Sequence, residues 1–293
     1  MRTLANLGIF GVTVIMMVAV GMELQTGQFR EMAGRKRTLV FVLTLQPVVL
    51  PLLGFALTHF MVLPAHVRAG ILLLAACPVG DVANFYALLA RANVALSVTL
   101  NILSCLLSVV TMAAVFQGYA HLLGEPFVFA VPTPSLILRL TLMVALPVLT
   151  GMSIRQFRPG WVERHARLVR HAGLGGLAFL MIYVMATQRE RFAADWQHTA
   201  LAGTLFMALA LLCGWAFARM LRLSSKDSAT VSITFAVRNV ALAAAIAITL
   251  LNRIEYGVFA TVYLLTEVPL LLVVAGIYRR WLVGRPQVTV PGS

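Results

Sequence analysis

Charge is the scarcest commodity in this chain: only 11% of its 293 residues are Asp, Glu, Lys or Arg. A soluble globular protein carries roughly 25%, so the composition excludes a soluble enzyme and a disordered chain. Cysteine is almost as rare. Cys77, Cys105 and Cys213 all lie inside apolar runs, which excludes a disulfide framework and argues against a cysteine metal site. Lysine occurs only at positions 36 and 226, at the ends of apolar stretches, so there is no mid-membrane lysine for a retinal Schiff base. One aspartate, Asp81, falls within an apolar stretch, where an intramembrane aspartyl protease needs two. The H-E-x-x-H signature is absent, and no two of the six histidines stand four apart, which removes the usual zinc enzymes.

What the chain has is hydrophobicity. Apolar residues make up 60% of it, with a mean hydropathy of +0.91, so lipid rather than water solvates most of its surface. A spanning helix needs about 20 mostly apolar residues. Nine stretches qualify: 4–23, 38–60, 67–90, 93–118, 132–153, 172–188, 197–220, 228–251 and 256–278. The first lacks an A-x-A cleavage site and reads as a retained helix rather than a signal peptide. No interval could hold a separate soluble domain, so a single membrane domain over residues 1–293 is expected.

The basic residues test this count. With nine spans, the loops after spans 1, 3, 5 and 7 and the C-terminal tail share one side, and hold sixteen of the 23 Lys and Arg. The other side holds five: Arg2, Arg68, Arg189, Arg191 and Arg253. Arg139 and Arg238 fall within spans. Positive charge gathers on the cytoplasmic face, which predicts the N-terminus outside and the C-terminus in the cytoplasm of a bacterial-type inner membrane. The net charge of +13 is thereby an orientation signal that faces anionic lipid, not a nucleic-acid footprint.

Two spans are interrupted. The third contains A-C-P-V-G-D-V-A-N-F-Y, with Pro78, Gly80, Asp81 and Asn84. Proline removes a backbone donor and clashes with the preceding turn, and such a break is tolerated in a membrane only where protein or a wet cavity satisfies the freed groups. The eighth contains T-F-A-V-R-N-V-A-L-A-A-A, with Thr234, Arg238 and Asn239. The asparagines occupy comparable places in two four-span blocks, residues 4–118 and 172–278, joined by a linking helix at 132–153. An odd number of spans between corresponding elements inverts one block relative to the other, and paired interruptions in inverted halves point to a transporter binding site.

At these residues the chain resembles the bile acid:sodium symporters. The strongest stretch is C-P-V-G-D-V-A-N-F-Y-A-L-L-A-R-A-N-V-A-L-S-V, from Cys77 to Val98, against a family pattern close to C-P-G-G-x-x-S-N-x-x-x-x-L-A-x-G-(D/N)-x-A-L-S-V. The family's early M-x-x-x-G-M-x-L run appears as Met17 to Leu24, and its E-x-G-x-Q-N-x-G-L-A helix matches at Asn239, Leu242 and Ala243. The resemblance implies an all-α polytopic fold of nine transmembrane helices, built from inverted repeats as a core and a panel domain, with two discontinuous helices crossing near the midplane. It implies a secondary transporter of organic anions working by alternating access, with bile acids, steroid sulfates and small carboxylates as the substrate class, and two sodium ions held around the crossing.

The departures bear on that sodium. Position by position, the family's cage serine becomes Ala83 while Asn84 is kept; Ser97 is kept and the neighbouring threonine becomes Asn101; the glutamate becomes Thr234 and the glutamine Arg238. The cage has lost its carboxylate and gained a guanidinium, which offers sodium no ligand and is effectively always protonated. Usual sodium coupling is therefore not expected, and no other cofactor is implied. Arg238 reads as a tethered cation in place of a sodium, with Asp81 its natural counter-charge, or as the anchor of the substrate's anionic group. A structural salt bridge between the two is the plainer alternative. Glu267 in span 9 is either the wall of a cytoplasmic vestibule or a candidate proton carrier. Asn84, Asn101 and Asn239 suit either ligand handling or helix-to-helix hydrogen bonds; Ser97 and Ser232 can also bond their own helix carbonyls. Gln46, beside Pro47, lines the core or merely packs a kinked helix. Arg139 is expected to snorkel, and Phe85 and Tyr86 to pack. A membrane receptor that binds without transporting, and a proton-coupled or uncoupled exporter of the same fold, are the rival readings.

Overall fold

The computed structural model describes residues 2–23, 35–123 and 133–283, and these are nearly all helical. Arg30, Arg285 and most of the expected C-terminal tail lie outside the described residues. The helices are α1 (Arg2–Met22), α2 (Lys36–Phe60), α3 (Ala65–Ala76), α4 (Val82–Leu89), α5 (Val94–Leu123), α6 (Thr133–Leu140), α7 (Leu146–Phe157), α8 (Pro159–Thr187), α9 (Arg189–Met220), α10 (Ser225–Ala236), α11 (Val240–Ala245) and α12 (Gly257–Val283). A π turn, Thr141–Ala145, joins α6 to α7 just before Pro147, whose ring removes one i−4 donor. Another, Ile246–Leu250, ends α11.

Five helical stretches are long and apolar enough to cross a membrane, and four shorter apolar helices accompany them: Gly8–Met22, Ala65–Ala76, His171–Thr187 and Val240–Leu250. The sequence-based boundaries differ from the observed ones mainly where polar residues flank a span. The stretch R-Q-F-R-P-G-W-V-E-R-H-A-R-L-V-R-H, expected to separate spans, is helical except at Arg158, with α8 starting at Pro159. An apolar window measures only hydrocarbon depth, whereas a helix that satisfies its own backbone continues into the polar layer. Large apolar side chains face outward on many helices, among them Phe60, Leu138, Ile182 and Leu212, and the interior holds Tyr86, Phe116, Phe206, Phe235 and Tyr263.

Helix α1 packs along α7 and α8. Gly21 and Gly151 permit the first of these contacts: a Cβ on Gly21 would lie 2.1 Å from the Val148 carbonyl oxygen, and one on Gly151 2.1 Å from that of Val18. Small residues bring membrane helix backbones together in this way. Elsewhere α9 packs on α10 and α12, α2 on α3 and α5, and α12 on α3, α4 and α11.

Polar contacts collect the connecting segments at two ends. At one, Asp227 in the first turn of α10 accepts from Arg35, before α2, and from Asn93 Nδ2, before α5, at 2.8 Å. Asn93 Oδ1 in turn caps the Leu96 amide at 3.1 Å. At the other, His66 Nε2 lies 3.1 Å from Asp195 Oδ2, with Arg191 Nη1 3.5 Å from His66 Nδ1. Segments after the first, third and seventh apolar stretches thus meet at one end, and those after the second and sixth at the other.

Candidate functional site

The two interruptions lie against each other. Cys77 precedes proline and takes the extended conformation this position favours (φ −65°, ψ 154°), ending α3. Val237 and Asn239 are also non-helical (ψ 112° and 84°), although no proline is near. Their break is held by pairing: Val79 and Arg238 form an isolated antiparallel bridge, the Gly80 amide donates to Val237 O at 3.2 Å, and the Asn239 amide donates to Pro78 O at 3.0 Å. A buried helix break exposes backbone groups that need partners, and side chains supply the rest. The Val79 amide donates to Ser104 Oγ at 3.1 Å, Tyr263 OH donates to Ala236 O at 2.5 Å, and Asn239 Oδ1 caps the start of α11 by accepting from the Leu242 amide at 2.9 Å. Gly80 is required by the crossing, since a Cβ there would stand 2.7 Å from Arg238 O.

Arg238 is 4% exposed, and its Nε and Nη1 have no hydrogen-bond partner among the described residues. With Gln46, Cys77, Pro78, Ser104 and Thr111 it lines a small pocket otherwise walled by apolar side chains. The expected ion pair with Asp81 is not formed: among the described residues no carboxylate pairs with Arg238. The residue opposite Arg238 in the bridge is Val79. Asp81 lies beyond the bridge, already helical (φ −61°, ψ −29°) immediately before α4.

Glu267 on α12 is 1% exposed, and its Oε2 has no partner among the described residues, so it does not stand at an open vestibule wall. Asn84 and Ser97 are brought together: Ser97 Oγ donates to Asn84 Oδ1 at 2.8 Å. Asn84 Nδ2 then donates to Glu23 Oε2 at 2.6 Å, tying α4 to the end of α1. Asn101 is buried, its Nδ2 without a partner among the described residues, and its Oδ1 accepts a weak bond from Cys105 Sγ at 3.5 Å. Thr234 Oγ1 bonds its own helix at Val231 O, 3.0 Å, while its carbonyl accepts from Gln46 Nε2 at 3.1 Å. Gln46 thus joins the core. Ser232 bonds not its own helix but Leu211 O on α9, at 2.8 Å. Arg139 is exposed.

Glu23, Ser104 and Tyr263 were not singled out from the sequence. Glu23 lies within the M-V-A-V-G-M-E-L run and is a carboxylate at a span end, which is a signal. Ser104 and Tyr263 are ordinary polar side chains in apolar helices, and nothing in one sequence marks them.

The arrangement offers a guanidinium without a carboxylate partner beside a pocket, and amide Nδ2 groups at Asn101 and Asn239 without a partner among the described residues. These are groups able to receive an anion and to move charge.

Comparison with known proteins agrees with this geometry. Residues 11–195 match the sodium bile acid symporter family. The chain is 28% identical over 275 residues to the probable chloroplastic sodium/metabolite cotransporter BASS1 of Arabidopsis thaliana, covering 94% of this chain and 67% of that protein. It is 24% identical over 233 residues to the uncharacterized sodium-dependent transporter YocS of Bacillus subtilis, covering 80% and 71%. It is 28% identical over 214 residues to sodium/bile acid cotransporter 5 of Mus musculus, covering 72% and 49%.

Proposed function

The chain belongs to the sodium bile acid symporter family, and from that premise we propose that it is a secondary transporter of an organic anion, working by alternating access and not coupled to sodium in the usual way. The substrate class is a bile acid-like, steroid-like or small carboxylate molecule. The carrying observation is Arg238: a buried guanidinium, unpaired with any carboxylate among the described residues, whose Nε and Nη1 are unpartnered beside a small pocket at the crossing. A guanidinium recognises a carboxylate or sulfate by charge and by its fork of donors. The same charge opposes a bound sodium ion at close range. The relatives are named for sodium, yet here Thr234 and Arg238 stand where the family's pattern has a carboxylate and an amide.

The transport scheme carries the rest of the proposal. Nine membrane-crossing segments form two inverted four-span repeats around a linking helix. The pairing of the third and eighth segments at the Val79–Arg238 bridge supports a crossover, and the grouping of connecting segments at two ends supports the alternation. The unit of α1, α6, α7 and α8 is the panel, and the remaining helices form the core that rocks against it. The protein sits in a bacterial-type inner membrane, N-terminus outside and C-terminus cytoplasmic.

Within this reading Arg238 has two roles to separate. As substrate anchor it binds the anionic group; as a tethered cation it takes the place of a sodium ion, without the Asp81 pairing first expected. The test is thermal unfolding and proteoliposome uptake with cholate, a steroid sulfate and a short-chain carboxylate, each in sodium and in choline. Stabilisation by an anion and flux unchanged by choline are the expected results. Arg238→Gln that abolishes anion stabilisation marks the anchor; Arg238→Gln that instead makes flux depend on sodium marks the tethered cation. Strict sodium dependence of the wild type refutes the coupling claim, and binding without flux turns the carrier into a sensor.

A further inference from the structure

Arg238 carries a charge that the protein itself leaves unbalanced. Its side chain is buried, and Nε and Nη1 meet no acceptor among the described residues. Neither Asp81 nor Glu267 forms an ion pair with it, and no other carboxylate among the described residues does. The pocket that it lines has apolar walls at Leu43, Pro47, Ala76 and Leu107, and no acidic side chain lines it. Gln46 lines it too. The Gln46 Nε2 donates to Thr234 O at 3.1 Å, and an amide nitrogen carries two hydrogens, so a second N–H remains for the pocket. The Ser104 hydroxyl is already spent, since it donates to Asn101 O at 2.8 Å and accepts from the Val79 amide. The pocket thus presents a positive charge and a spare donor, with no counter-charge.

A guanidinium stays protonated, and a charge in the membrane interior needs a partner of opposite sign or a wet cavity around it. A water molecule can accept from Nε or Nη1 but supplies no charge. A small pocket between apolar walls has no room for the full hydration shell of an exposed ion. We propose that this pocket is a binding site for a small inorganic anion, a weakly hydrated halide such as chloride or bromide, held by the Arg238 guanidinium and the spare Gln46 N–H. The size and the apolar walls set the class: fluoride, sulfate and phosphate lose more hydration on entering such a space than chloride or bromide. The crossing holds the site in shape, because the bridge to Val79 fixes the Arg238 backbone and Cys77 and Pro78 form part of the wall. The site shares Arg238 with the transport reading but requires neither flux nor an organic substrate. Only one consequence rests on that reading: an organic anion that reaches Arg238 displaces the halide.

Thermal unfolding of the full-length protein in detergent tests the site, with sodium fluoride replaced stepwise by sodium chloride, and separately by sodium bromide, at constant ionic strength. An ion that binds the native state raises its apparent stability. The wild-type midpoint should rise by about 3 °C or more relative to Arg238→Gln and level off as the site fills. Arg139→Gln, at an exposed position on α6, should respond as the wild type does. A second measurement needs no variant: wild-type crystals grown in bromide should show an anomalous scattering peak within hydrogen-bonding reach of Arg238 Nε or Nη1. A wild-type midpoint with no saturable rise, an equal rise in Arg238→Gln, or bromide crystals without a peak at Arg238 overturns the proposal. No organic anion enters these measurements, so their failure is distinct from failure of the uptake assay, which tests the transport reading alone.

Discussion

Replacing Gly80 by alanine should open the crossover. The added Cβ would stand 2.7 Å from Arg238 O, 3.0 Å from Arg238 C and 3.2 Å from Val237 Cγ1. Comfortable contact between heavy atoms is about 3.5–4.0 Å, so the two segments must part by roughly an ångström. The nearest atoms are backbone, pinned on both sides by the bridge, and no flexible side chain can swing away. Parting the segments stretches the Gly80 N to Val237 O bond, now 3.2 Å, and the Asn239 N to Pro78 O bond, now 3.0 Å, beyond useful length. Overpacking costs about 1–3 kcal/mol, and each of the two bonds contributes about 0.5–1.5 kcal/mol, giving a loss of about 2–6 kcal/mol. Against a typical stability of about 5–15 kcal/mol this is large. The control is Gly118→Ala on α5, where a Cβ meets nothing within 4 Å and the change should stay within about 0.5 kcal/mol. Reversible denaturant unfolding in detergent, followed by circular dichroism, reads both. Gly80→Ala should keep its helical signal, unfold at much lower denaturant and lose anion stabilisation. If Gly80→Ala proves as stable as Gly118→Ala, the steric account of the crossing is wrong.

Two further substitutions probe groups that the sequence did not mark. Tyr263→Phe keeps the ring but takes the donor from Ala236 O; orphaning that buried carbonyl should cost about 1–3 kcal/mol, seen as a lowered denaturation midpoint, and an unchanged midpoint would mean the break does not need this partner. Glu23→Ala removes the tie from the end of α1 to Asn84; the contact is solvent-exposed, so stability should fall by less than about 1 kcal/mol. The rate at which a thiol reagent reaches buried Cys105 should nevertheless rise, whereas Glu23→Gln, which keeps an acceptor, should stay near wild type. Equal rates in all three proteins would count against a tie between α1 and α4.

Much of this protein is legible from composition and spacing because the bilayer is a severe solvent. It forces backbone groups to pair within each segment, so apolar length alone located the helices. Boundaries slipped where helices continue through polar flanking residues, as α8 does from Pro159. Proline chemistry made the first break readable: Cys77 is extended because Pro78 follows. The second break has no such local cause. Val237 and Asn239 leave the helix because Pro78, Gly80 and Tyr263, distant in the chain, bond to their backbone.

The charged residues divide along the same line. That Asp81, Arg238 and Glu267 are the notable charges within the membrane was decided by the sequence, since scarcity alone made them stand out. Which of them face each other was decided by the tertiary structure. Sequence logic paired Asp81 with Arg238 by sign. The antiparallel bridge instead sets Val79 opposite Arg238 and makes Asp81 the cap of α4, leaving Arg238 at the pocket with no carboxylate partner among the described residues. Opposite charge favours a contact, but only the path of the backbone through the crossover determines whether the two side chains can meet.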